Sequence, residues 1–80
     1  MGKWSEIKVS HFDEYRRIWA VDAWKTASSN EEGRVIAEIS EDGKTVKYLN
    51  KAAETDPYAQ EVIIESMKAI RKDYTKDHFN

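Results

Sequence analysis

The clearest periodic pattern lies at the C-terminal end of the chain. From Pro57 to about Tyr74, apolar residues recur at the three- and four-residue spacing of an amphipathic helix. The stripe consists of Ala59, Ile63, Met67, Ile70 and Tyr74, with Val62 at its side. Asp56 precedes Pro57, and an acidic N-cap followed by proline is a common helix start. The pattern therefore predicts one C-terminal α-helix with a single apolar face, and it leaves Ile64 outside that face.

A second pattern, in the middle of the chain, is that of a β-hairpin. Residues 34–40 and 45–50 alternate and are rich in β-branched side chains. Asp42 and Gly43 lie between them, and an Asp-Gly pair predicts a type I′ turn. The predicted cross-strand pairs are Ser40 with Thr45, Ile39 with Val46, Glu38 with Lys47, Ala37 with Tyr48 and Ile36 with Leu49. The residues predicted to face the helix are Val35, Ala37, Ile39, Val46 and Tyr48.

The segment from Tyr15 to Lys25 admits two interpretations. As a helix capped by Ser10 it would carry an apolar stripe, but Asp22 would interrupt that stripe. As a strand it would place Trp19, Val21 and Ala23 on one face and Ile18, Ala20 and Trp24 on the other. The aromatic and β-branched content favours the strand. The alternating residues Glu6–Val9 predict a further short edge strand before it.

Together these elements predict a single small α+β domain over residues 1–80. Its architecture is an antiparallel β-meander of three to four strands with one C-terminal α-helix packed on one face, in the order ββββα. If the N-terminal third were helical, a helix would replace the first strands and the order would be αββα. The polar stretch from Thr26 to Gly33 is predicted to be a loop, and residues 51–55 the crossover from sheet to helix.

Composition narrows the classes of function. The 80 residues carry a net charge of −2, so the basic excess of a typical nucleic-acid binder is missing. The absence of cysteine excludes disulfides, thiol catalysis, zinc ribbons and iron–sulfur clusters. No apolar run reaches the roughly 20 residues of a membrane span, and the N-terminus lacks the apolar core of a signal peptide. We therefore expect a cytoplasmic protein.

The residues that could carry catalysis have simpler explanations. His11 and His78 are far apart in sequence and suggest no metal site. The acidic residues Glu54, Asp56 and Glu61 crowd the start of the predicted helix, where capping and the helix dipole account for them. With three glycines in the chain, no phosphate-binding loop is present. We expect no catalytic activity, no cofactor and no metal.

The side of the sheet away from the helix carries the strongest functional signal. Ile36 and Leu49 are opposed on it, and the strand interpretation adds Ile18 and Trp24. An apolar cluster with a charged margin is typical of a protein interface. The predicted interface has Ile18 and Trp24 as anchors, Ile36 and Leu49 as its centre, and Arg16, Glu38 and Lys47 as its rim. We expect an interaction module of adaptor or inhibitor type that binds another protein or its own copy as a homodimer.

A second function class uses the same strand differently. Tyr15, Trp19 and Trp24 beside Arg16 and Arg17 could stack on bases and contact phosphates, which predicts single-stranded nucleic-acid binding. The acidic balance of the chain opposes this alternative. A salt titration separates the two classes, because binding to phosphates weakens steeply with salt whereas apolar contacts do not.

Overall fold

The computed structural model describes residues 4–25 and 33–78, and the side chains of residues 77 and 78 are excepted. It contains one antiparallel sheet of four strands in the order β1-β2-β3-β4, followed by the helix α1. This confirms the predicted ββββα meander. Most of the predicted Thr26 to Gly33 loop lies outside the described residues. The elements are β1 (Glu6–Asp13), β2 (Ile18–Trp24), β3 (Arg34–Ser40), β4 (Val46–Tyr48), a 3₁₀ helix (Lys51–Glu54) and α1 (Pro57–His78).

The N-terminal third is β-structure, as the strand interpretation predicted. Strand β1 is longer than the predicted Glu6–Val9 because a bulge at Ser10 lets it continue to Asp13. The register passes from Val9 opposite Val21 to His11 opposite Ala20, so that Ser10 is the additional residue. A bulge resets the alternation of side chains. Phe12 consequently pairs with Trp19 on the same side of the sheet.

The predicted register of β3 and β4 is confirmed, but the predicted type I′ turn is wrong. Ala37 pairs with Tyr48, Glu38 with Lys47, and Ile39 with Val46. A type I′ turn needs positive φ at both central residues. Gly43 has φ of 75°, whereas Asp42 does not have a positive φ. The connection is a four-residue loop closed by the bond from the Ser40 N–H to the Thr45 carbonyl.

Val35 does not face the helix as predicted. The register of β2 and β3 shifts between Val21, which lies opposite Ala37, and Asp22, which lies opposite Val35. Ile36 is therefore the additional residue of a bulge. Val35 is 38% exposed as a result, and Ile36, at 1% exposed, belongs to the core.

The helix begins and packs as predicted. The Asp56 carboxylate accepts the N–H of Tyr58 at 2.9 Å, which is the bond expected of an N-cap. The buried core contains Trp4, Ile7, Val21, Ala23, Ile36, Ala37, Ile39, Ala53, Ala59 and Ile63. The Ile7 N–H on the edge strand donates to the Tyr58 hydroxyl at 3.1 Å, which ties the start of α1 to β1.

Within the described residues, no helix combines the length and the apolarity needed to cross a bilayer.

Farther along α1, the helix docks on the β3–β4 loop. Arg71 donates from its guanidinium to the Gly43 carbonyl at 2.9 Å. A Cβ at Gly43 would lie 2.7 Å from the Met67 carbonyl oxygen and 2.8 Å from the Arg71 backbone nitrogen. Only a residue without a side chain lets the helix backbone approach this closely.

The variant Gly43→Ala tests this docking. We expect its free energy of unfolding to fall by about 2 kcal/mol or more, since left-handed geometry alone costs an L-residue about 1–2 kcal/mol and the helix has to move as well. Lys44→Ala, at an exposed neighbour in the same loop, should change it by less than about 0.5 kcal/mol. Urea denaturation of both variants measures the difference, and equal stabilities would contradict the docking contact.

The same loop predicts a pH dependence. The Ser40 hydroxyl and then the Lys44 N–H donate to the Asp42 carboxylate, and these bonds lower the pKa of Asp42. When folding lowers the pKa of a carboxyl group, the ionised group stabilises the folded protein at pH values above the ordinary carboxyl pKa. This stabilisation is lost as the pH falls through the pKa of the group in the folded state. The stability difference between the native protein and Asp42→Asn should therefore be largest near neutral pH and should shrink below about pH 4. Thermal melts between neutral and acidic pH measure this difference, and one that is constant with pH would contradict the assignment.

Candidate functional site

The sheet face opposite α1, which we call the outer face, is arranged in cross-strand rows. By register and strand alternation, the central row contains His11, Ala20, Glu38 and Lys47. The row nearer the β1–β2 loop contains Asp13, Ile18 and Ser40, and the rows beyond the centre contain Lys8, Asp22, Val35, Glu6 and Trp24. The middle of this face is polar, and its apolar side chains lie toward its ends.

The predicted rim residues Arg16 and Glu38 form an ion pair in the middle of the outer face. The guanidinium of Arg16 reaches from the β1–β2 loop and donates two hydrogen bonds of 2.6 Å to the carboxylate. These bonds raise the pKa of Arg16 further above its ordinary value. Glu38 is only 7% exposed, although it carries a charge. Lys47, the third rim residue, is exposed and lies directly across the strand from Glu38.

The side chain of the neighbouring Arg17 lies beside the β3–β4 loop and not on the outer face. Arg17 is the one non-glycine residue with positive φ, 58°, in the described parts of the chain, and its N–H donates to the Asp13 carbonyl at 2.8 Å. Its guanidinium makes a bidentate contact with Glu41, whose hydrogen bonds raise the pKa of Arg17. The two adjacent arginines are thus both occupied by carboxylates, Arg16 on the outer face and Arg17 beside the β3–β4 loop.

The structure does not bring together the three aromatic residues that would stack on bases if the protein bound single-stranded nucleic acid. Tyr15 is 97% exposed at the loop between β1 and β2. Trp19 packs against the core with Phe12, whereas Trp24 belongs to the outer face by strand alternation. Successive bases need ring faces along one side of a groove, and these three rings do not share a side.

The predicted anchors Ile18 and Trp24 stand at opposite ends of β2. They are six positions apart along the strand, a distance of about 20 Å, so they do not form one cluster. The Trp24 ring covers Gly33, where a Cβ would lie 2.6 Å from ring atoms. The Lys8 ammonium lies 5.2 Å from the centroid of the same ring.

The predicted centre residues Ile36 and Leu49 are brought together, but at one end of the sheet. The Leu49 N–H donates to the Ile36 carbonyl at 2.9 Å. Both line a groove of about 510 Å³ where β2 ends and β3 begins. Its other lining residues are Trp4, Lys25, Arg34, Val35 and Asn50. We call this cavity the end groove. Sequence reasoning missed Val35 as a member because its exposure depends on the β3 bulge.

A second cavity, of about 320 Å³, opens between the β1–β2 hairpin and the C-terminal half of α1. We call it the aromatic cleft. Its walls are Phe12, Trp19, Ala69, Ile70 and Tyr74, and its acidic residues are Glu41 and Asp73. The tilted rings of Phe12 and Trp19 have centroids 4.9 Å apart. The sequence pattern did not point to this cleft, because Phe12 reaches it only through the bulge at Ser10.

The candidate catalytic residues are not assembled into a site. In the part of the chain that the structure describes, no three His, Asp or Glu side chains come together as metal ligands. His11 is exposed, with its Nδ1 3.1 Å from the Ser10 hydroxyl, and Asp56 serves as the helix N-cap. The side chain of His78 lies outside the described atoms. The Asp22 Oδ1 atom is shielded from solvent and has no hydrogen-bond partner within the described residues.

Comparison of the chain with models of known protein families, with curated proteins and with solved structures finds no match. The assignment of function therefore starts from the geometry of the end groove and the outer face.

The Arg16–Glu38 ion pair leads to a prediction about thermal stability. Arg16→Ala should lower the melting temperature clearly more than Lys47→Ala, because it leaves the buried Glu38 carboxylate without its bidentate partner. In the double variant Arg16→Ala with Glu38→Gln, the loss should be partly recovered, because no unpaired charge remains. Calorimetry of the four proteins measures this. No recovery in the double variant would show that Arg16 acts through packing instead.

Proposed function

We propose that this protein is a small non-catalytic interaction module of the cytoplasm that binds an acidic segment of another protein in its end groove. The observation that carries the proposal is the composition of this groove. Exposed Val35 and Leu49 lie there beside two basic residues, Lys25 and Arg34. The partner segment is expected to carry at least one apolar side chain for the groove and carboxylates for its margin.

The apolar part of the argument rests on exposure. Leu49 is 48% exposed and Val35 38%, although most of the other large apolar residues in the described parts of the chain are buried or half-buried. Exposed apolar side chains grouped at one place are typical of binding surfaces. Trp4 and Ile36 lie in the same groove and are buried, so the exposed pair rests on a packed floor. A rigid apolar floor reduces the entropy lost on binding.

The electrostatic part rests on Lys25 and Arg34. Neither forms an ion pair with another described residue, and none of the seven described residues that line the groove is acidic. This concentration of positive charge stands against a net charge of −2 for the whole chain. Complementary charge steers association and selects partners. An acidic partner segment is therefore favoured over a basic or neutral one.

The backbone of β3 adds a third argument. Strand β4 pairs with residues 37–39 of β3, and the Ile36 carbonyl accepts the N–H groups of Leu49 and Asn50. Arg34 and Val35 precede the part of β3 that β4 covers. An extended peptide can add to an uncovered strand edge through backbone hydrogen bonds. This favours an extended segment as the occupant of the end groove.

The same charges disfavour a homodimer formed through this surface. A twofold interface brings identical patches of two copies together. Here it would bring two copies of the basic patch formed by Lys25 and Arg34 into one interface. Like charges across an interface oppose association, so a different protein is the preferred partner.

Selection from a displayed library of random twelve-residue peptides tests the proposal directly. We expect the enriched peptides to combine acidic residues with an aliphatic or aromatic residue. Leu49→Glu should weaken their binding by at least about tenfold, because it places a charge in the apolar contact and repels the carboxylates. Titration calorimetry of the best peptide measures the affinities.

Two matched variants serve as controls. Lys47→Glu changes an exposed charge outside the groove, and Ile64→Glu changes an exposed apolar residue on α1. Both should bind the peptide within about twofold of the native protein, since neither contacts the groove. Enrichment of basic or uncharged peptides would contradict the proposal. So would a dimer in light scattering that Leu49→Glu converts to a monomer, because a second copy would then occupy the groove.

A further inference from the structure

We infer that the aromatic cleft is a second binding site, and that it binds a small organic ammonium ion with an apolar body. It lies at the opposite end of the sheet from the end groove, between the β1–β2 hairpin and α1. The inference is independent of the proposed partner protein. It rests on the shape of the cleft, the chemistry of its walls and the charges that its margin leaves available.

The shape follows from the way in which the helix docks. The contact of Arg71 with Gly43 holds α1 close to the β3–β4 loop. Beside this contact, Phe12 and Trp19 form the wall on the sheet side, and Ile70 and Tyr74 form the wall on the helix side. The small Ala69, an exposed residue of α1, also lines the cleft, whose volume is about 320 Å³. This volume is at the lower end of the range for sites that hold single small molecules.

The chemistry of the walls selects the ligand. Three aromatic rings, those of Phe12, Trp19 and Tyr74, line the cleft together with aliphatic groups. Ring faces attract cations that have lost part of their water. The lining contains two carboxylates, those of Glu41 and Asp73, and none of the described residues that line the cleft is basic. An apolar cleft with aromatic walls and an acidic margin is complementary to a cation that carries a hydrocarbon group.

The molecule itself contains an example of this recognition. The Arg17 guanidinium lies 5.6 Å from the centroid of the Phe12 ring and makes a bidentate contact with Glu41. One carboxylate of the margin is thus already paired with a cation over an aromatic ring. Asp73 is exposed and makes no ion pair within the described residues. It is therefore the carboxylate available to an external ammonium group.

The test uses the 2-phenylethylammonium ion and its neutral counterpart 2-phenylethanol. Both are titrated into the ¹⁵N-labelled full chain, and the indole N–H signals are followed by NMR. We expect the ammonium ion to shift the signal of Trp19 but not that of Trp24, which lies away from the cleft. For a ligand of this size the dissociation constant should be on the order of 1 mM. The alcohol should bind at least about fivefold more weakly, because it lacks the cation.

Two variants at exposed positions locate the site without threatening the core. Asp73→Asn should raise the dissociation constant of the ammonium ion by about three- to tenfold, whereas Glu61→Gln, on the same helix, should leave it unchanged. Ala69→Leu should abolish binding by filling the cleft, whereas Thr75→Leu should not.

Three results would overturn the inference. Equal binding of the alcohol would show an apolar cavity with no preference for cations. A shift of Trp24 in place of Trp19 would put the ligand elsewhere. Equal effects of Asp73→Asn and Glu61→Gln would show that only the overall charge of the chain matters.

Discussion

The docking of a single helix on a four-stranded sheet is the constraint on which the rest of this structure depends. In the parts of the chain that the structure describes, α1 and the short 3₁₀ helix are the elements that cover the core side of the sheet. Polar contacts fix the helix at separated places, by Tyr58 at the Ile7 amide, by Gln60 at the Tyr48 hydroxyl and by Arg71 at the Gly43 carbonyl. The direction that these contacts give to α1 leaves the outer face uncovered by α1. It also leaves the aromatic cleft open between the helix and the hairpin.

The sequence predicted the structure correctly where interactions between neighbouring residues or directly paired strands determine it. The N-cap at Asp56, the apolar stripe of α1 and the register of Glu38 with Lys47 followed from spacing and pairing rules. Apart from the turn type of the β3–β4 loop, the errors lie where an additional residue enters a strand. The bulges at Ser10 and Ile36 change the side-chain alternation, and no local pattern marks them, because their sterics depend on the neighbouring strands.

The candidate sites were predictable to different degrees for the same reason. The pairing of Ile36 with Leu49 was predicted correctly, since it follows from the hairpin register, but the prediction that Ile36 lies on the outer face is wrong, because the β3 bulge places it in the core. The exposure of Val35 and the position of Phe12 each depend on a bulge. The pairing of Arg16 with Glu38 joins a loop to a strand 22 residues away, and only the tertiary fold brings them together. Two of the cavities formed by the described residues differ in character, one with a basic and one with an acidic margin, and they lie at the two ends of the sheet.

The edge strand β1 has a consequence for the behaviour of the chain at high concentration. An exposed strand edge is a template on which further copies can stack into fibrils. Here the Ile7 N–H already donates to the Tyr58 hydroxyl. The bulge at Ser10 breaks the regular spacing of the backbone N–H and C=O groups that follow it along β1. These two features disfavour the joining of β1 of one copy to β1 of another in a continuous ladder, so the longer edge of the sheet resists fibril growth.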